Sequence, residues 1–98
     1  MTDTAIESWL AQVRGHVQGV GFREACVQEA EVLGLAGWVR NRADGSVEAL
    51  LQGSPDQIAR MREWLAHGPP LAQVTAIALS PAAPDTPRCA GFERRRSG

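Results

Sequence analysis

The spacing of apolar residues changes several times along the chain. Trp9, Ala11 and Val13 alternate with Leu10, Gln12 and Arg14, a period of two that predicts a strand with one buried face. From Phe22 the period lengthens. Phe22, Cys26, Ala30 and Leu33 share one stripe of a helix, with Glu24, Gln28 and Glu31 off it, and Gly34 is placed to stop the helix. Two apolar segments, 37–42 and 46–52, then flank Ala43-Asp44-Gly45, and Asp-Gly between such segments predicts a hairpin. Ser54-Pro55-Asp56-Gln57 reads as the start of a second helix, with Ser as N-cap, Pro in the first turn and Gln at the reciprocal capping position. Ile58, Met61 and Leu65 form its stripe, Trp64 lies on the flank, and Gly68-Pro69-Pro70 ends it. A fourth strand is predicted over 72–79, a Pro- and Ala-rich loop over 80–90, and a short last strand over 91–95. Residues 1–7 are polar and are expected to fray.

The order β-α-β-β-α-β, with a short fifth strand, predicts an α+β fold of the ferredoxin-like, split βαβ type. Two helices would cover one face of an antiparallel sheet. A chain of 98 residues is expected to make one domain over 1–98. That architecture hosts enzymes, RNA binders and regulatory modules, so it decides no function.

Composition removes several functions. The net charge is -1, so no global field draws the chain to nucleic acid or to an acidic membrane. Every basic side chain is Arg; without Lys there is no Schiff-base chemistry, and an anion must be held by Arg or by backbone amides. Cys26, Cys89, His16 and His67 show no metal-ligand spacing, so no metal and no cofactor is expected. Cys26 lies on the helix stripe and reads as a core residue. The start has neither a basic nor an apolar leader region, and no apolar run has the length of a membrane span. A cytoplasmic monomer without nucleic-acid or membrane partners is the expectation.

The stretch GHVQGVGFR, residues 15–23, lies between the first strand and the first helix. Helix N-termini present unpaired amides and partial positive charge. Gly15, Gly19 and Gly21 permit backbone turns closed to other residues, so successive amides can curl around an anion and Arg23 can clamp it. Taken alone, the loop is as readily a plain tight turn. It is neither a P-loop, which needs Gly-Lys-Ser/Thr, nor a dinucleotide fingerprint. The first helix is a crossover, so the strands on either side of it should run parallel and end on one sheet edge. The second of these strands ends near Asn41, an uncharged donor and acceptor suited to holding a water beside a bound phosphate.

Together, GHVQGVGFR and GWVRNRADGSVEALLQG resemble the two signatures of the acylphosphatase family, with order and spacing matching over about residues 8–80. The resemblance implies hydrolysis of the carboxyl–phosphate bond of small acyl phosphates without metal or cofactor. By the same resemblance Arg23 would bind the phosphoryl group and Asn41 would position the attacking water. The backbone of Gly15, His16, Val17, Gln18, Gly19, Val20, Gly21 and Phe22 would line the substrate site. His16 is a rival general base by its chemistry. Trp38 is out of face parity with Asn41, and Arg42, Asp44 and Glu48 are assigned to the hairpin surface. Arg94, Arg95 and Arg96 read as a solvated tail.

Two other functions occur on this architecture. The N-terminal domain of hydrogenase-maturation carbamoyltransferases resembles acylphosphatase, but those proteins continue into Cys-rich motifs. With this chain stopping at Gly98, a free-standing enzyme is expected. An RNA-binding module of the same fold would need exposed aromatics on a basic sheet face, and the chain has no Tyr and only two Phe.

Overall fold

The computed structural model describes residues 5–97. The elements run β1 (Glu7–His16), α1 (Phe22–Leu33), β2 (Ala36–Asn41), β3 (Val47–Gly53), α2 (Pro55–Leu65), β4 (Gln73–Pro81) and β5 (Phe92–Arg94). Of the start expected to fray, residues 1–4 lie outside the described residues and Glu7 already belongs to β1, where it pairs with Gly53.

One sheet contains all five strands in the order β4-β1-β3-β2-β5. β1 and β2 both run antiparallel to β3 and therefore parallel to each other, as the crossover helix requires. The core lies between the sheet and the two helices. Ala11 and Val13 of β1, Val39 of β2 and Val47, Ala49 and Leu51 of β3 meet Phe22, Cys26 and Ala30 of α1 and Ile58, Met61 and Leu65 of α2 there. The α2 start is a complete capping box. Ser54 Oγ accepts from the Gln57 amide at 3.2 Å, and Gln57 Oε1 accepts from the Ser54 amide at 2.8 Å. Trp64 packs against Phe22 with ring centroids 5.6 Å apart.

Two expectations need correction. β5 pairs parallel to β2, so the sheet is mixed rather than wholly antiparallel. Ser80 and Pro81 belong to β4; Pro81 is tolerated because β4 is an edge strand. The two departures are connected. β4 and β5 occupy opposite edges, so the chain between them must cross the sheet, and the helices already cover one face. Residues 82–90 accordingly cross the other face, where buried Gln52 holds them: its Nε2 donates to the Pro87 carbonyl and its Oε1 accepts from the Cys89 amide, both at 2.8 Å.

Candidate active site

β1 and β2 end on the same sheet edge, and the loop 17–21 spans the gap between β1 and α1. Ahead of the loop the β1–β4 register shifts between Arg14 and Gly15. A Cβ at Gly15, where φ is 127°, would lie 2.1 Å from the Gln73 carbonyl oxygen, so only glycine lets β1 stay against β4 while it turns. At Gly19 and Gly21, with φ of 75° and 77°, the space around a Cβ is open. Those two glycines are required by backbone conformation, not by crowding.

The loop is anchored by its side chains. Val17 is buried and Val20 packs against the core. Gln18 reaches across to the β2–β3 hairpin, where its Nε2 donates to the carbonyls of Arg42 and Ser46 at 2.8 and 2.9 Å. The loop's backbone is left free. Among the described residues, none of the amides of 17–21 donates a backbone hydrogen bond. Gly21 caps α1 with no side-chain hydrogen bond, and the first amide to enter the helix ladder is that of Ala25, bonded to the Gly21 carbonyl. The amides ahead of it are free donors at the positive end of a helix.

A small cleft of about 100 Å³ opens at this place, lined by Val17, Gly19, Gly21, Phe22, Arg23, Glu24, Asn41 and Arg94. The structure thus brings Arg23 and Asn41 into one cavity. Arg23, the second residue of α1, enters no ion pair among the described residues. Asn41, the last residue of β2, places Oδ1 out of contact with solvent; it is the one such side-chain atom among the described residues with no hydrogen-bond partner. A buried acceptor without a protein donor is the place for a water or ligand O–H.

Other predicted site residues divide. Gly19, Gly21 and Phe22 line the cleft, as does Val17, whose side chain is nonetheless core. The Gln18 side chain is a strut to the hairpin. His16 is exposed at the end of β1 opposite Gln73 and does not line the cleft. Trp38 faces the opposite side of the sheet, with the guanidinium groups of Arg40 and Arg95 over its ring at 5.1 and 5.0 Å. Arg40 and Arg42 share Glu48 at 2.8 and 3.1 Å. Asp44 accepts from the Ser46 amide and hydroxyl, bonds that hold its carboxyl below the usual range. Among the described residues no three His, Cys, Asp or Glu side chains gather as metal ligands.

Arg94 was expected in a solvated tail, yet it lines the cleft. Alternation along β5 explains this: Phe92, opposite Gly37, is buried in the core, so Arg94, opposite Val39, points to the same helix-covered face. The parity of Phe92 and Arg94 was the available signal, but it becomes readable only once β5 is known to pair with β2.

The acylphosphatase family model matches residues 9–94, and the chain belongs to the acylphosphatase family. It is 59% identical over 75 residues to an acylphosphatase of Paraburkholderia xenovorans (strain LB400), covering 76% of this chain and 77% of that one. Similarity to an acylphosphatase of Polaromonas naphthalenivorans (strain CJ2) is 48% identity over 92 residues, covering 94% and 91%. Among solved structures, an acylphosphatase from Coxiella burnetii superposes with a TM-score of 0.86 at 36% identity, covering 97% of this chain and 100% of that one. No helix of the described residues is long and apolar enough to cross a membrane.

Proposed function

We propose that the chain hydrolyses the carboxyl–phosphate bond of small acyl phosphates, giving a carboxylate and inorganic phosphate, with no metal or cofactor taking part. One observation carries the reading: Arg23 and Asn41 line one cleft with Gly19 and Gly21 of the loop whose amides are free, and Asn41 Oδ1 is buried there without a hydrogen-bond partner among the described residues. The amides of the loop and of the first turn of α1 receive the phosphoryl oxygens, and Arg23 binds them as a charged fork. Asn41 Oδ1 accepts a hydrogen bond from the attacking water and holds its oxygen toward phosphorus. The new P–O bond forms as the bond between phosphorus and the bridging acyl oxygen breaks. The breaking pair leaves on the carboxylate, and the water's proton passes to the phosphate product or to solvent. A carboxylate leaves without a general acid, so a loose phosphoryl-transfer transition state asks mainly for positioning and charge stabilisation, which this residue set supplies.

The domain 1–98 is read as acting alone, as a monomer in the cytoplasm and without nucleic acid; the net charge of -1, which gives no general attraction to a polyanion, supports the last of these. The test is phosphate release from benzoyl phosphate in the presence of a chelator, for the unmodified protein and for Arg23→Gln. Turnover is expected to persist with chelator and to fall about 10²- to 10³-fold in the variant, the usual effect of removing one preorganised charge-stabilising donor. Activity that needs an added divalent ion, or a folded Arg23→Gln protein with unreduced turnover, would overturn the reading.

A further inference from the structure

The cleft contains two arginines, and the proposed hydrolysis uses one. Arg94 projects from β5 on the same sheet face as Asn41, because the parallel register sets Arg94 opposite Val39 and Asn41 lies two residues further along β2. Among the described residues its one ion pair is with Glu24, Nη1 to Oε1 at 3.3 Å, and the two side chains are 54% and 64% exposed. An ion pair so exposed is screened and weak, so Glu24 can be exchanged for another anion at little cost. Arg23, by contrast, is bound to nothing among the described residues and is half-buried beside the free amides. The cleft's 100 Å³ takes the phosphoryl group, so an acyl group beyond its first atoms lies along the rim that Glu24 and Arg94 form.

We infer that Arg94 is a specificity residue: it binds a second anionic group carried by the acyl part of the substrate, releasing Glu24 as it does so. Acyl phosphates ending in a further acid group are therefore preferred to those with a neutral acyl group. Glu24 opposes this selection. Its carboxylate repels an incoming anion until Arg94 turns from one partner to the other, so Glu24 and Arg94 act on selectivity with opposite sign. The inference rests on the acyl-phosphate reading above and names the class of acyl group that the same site favours.

The experiment compares kcat/KM for benzoyl phosphate with that for 3- and 4-carboxybenzoyl phosphate. The unmodified protein, Arg94→Gln, Glu24→Gln and Arg96→Gln are used, each checked for folding by its thermal melt. The quantity read is the carboxylated-to-neutral ratio. It should fall about five- to tenfold in Arg94→Gln, through KM, and rise about two- to threefold in Glu24→Gln, as expected for one charge-assisted contact near water. In Arg96→Gln, an exposed neighbour outside the cleft, the ratio should hold. An unchanged ratio in Arg94→Gln overturns the inference. So does an equal fall for both kinds of substrate, which would place Arg94 in the phosphoryl cradle and leave the acyl-phosphate reading standing. If the unmodified protein releases phosphate from neither, that reading fails and the inference with it.

Discussion

Raising the pH to 10 should destabilise this protein through one buried thiol. Cys26 lies in the core, and burial, with a smaller contribution from Glu29, pushes its thiol from 9.0 up to about 12. The folded state therefore binds this proton more tightly than the unfolded chain does. The resulting stability is fully present below the unfolded value near 9 and is lost as pH rises toward 12. The loss of stability should be about 1 kcal/mol at pH 10 and about 3 kcal/mol at pH 11, approaching about 4 kcal/mol above pH 12. The chain suits the measurement, because it has no Lys and no Tyr. In a protein rich in Lys and Tyr, ammonium and phenol titrations would mask a single thiol in this window. The assay is urea unfolding followed by tryptophan fluorescence under reducing conditions, at pH 8 and pH 10, for the unmodified protein, Cys26→Ala and Cys89→Ala. Cys26→Ala should be less stable at pH 8, because it leaves a cavity, but should lose little more by pH 10. Cys89→Ala should retain the unmodified protein's loss. A Cys26→Ala protein that loses stability as steeply as the unmodified one would refute the assignment.

Further outcomes follow from the site. Asn41→Ala should lower kcat steeply while the inhibition constant for inorganic phosphate changes little, since only the positioning of water is removed; Asn41→Asp should damage both, by setting a negative charge beside an anionic substrate. Gln18→Ala removes two hydrogen bonds to hairpin carbonyls and should cost about 1–3 kcal/mol of stability by chemical denaturation, with weaker phosphate inhibition because the loop is no longer tied to the hairpin. Gly15→Ala should destabilise the fold by more than 1 kcal/mol in the same assay, because its methyl group meets the Gln73 carbonyl.

Much of this arrangement was legible from residue spacing because each feature concerned is local. The capping box placed the start of α2 correctly, since Ser54 and Gln57 satisfy each other within one turn. The stripe of Phe22, Cys26 and Ala30 predicted which face of α1 is buried. Chain connectivity alone brought Asn41 to the edge where the glycine loop ends. The rest depends on distant partners. A strand of three residues such as β5 carries no readable period, and nothing near Phe92 reveals that its neighbour is β2. Without that pairing Arg94 cannot be given a face. Gln18 looked like loop backbone because its acceptors, the carbonyls of Arg42 and Ser46, belong to a hairpin more than twenty residues later.

The crossing segment 82–90 has a consequence for assembly. Asn41 belongs to a hairpin whose strands are joined by a short turn, so its part of the cleft is built from neighbours in sequence. The Arg94 wall is built from β5, whose pairing with β2 joins residues far apart in sequence, Gly37 with Phe92. Long-range closures of this kind are slow steps in folding. During synthesis the Asn41 hairpin and the glycine loop emerge first, and the wall carrying Arg94 can be added only after the chain has passed over the finished face of the sheet.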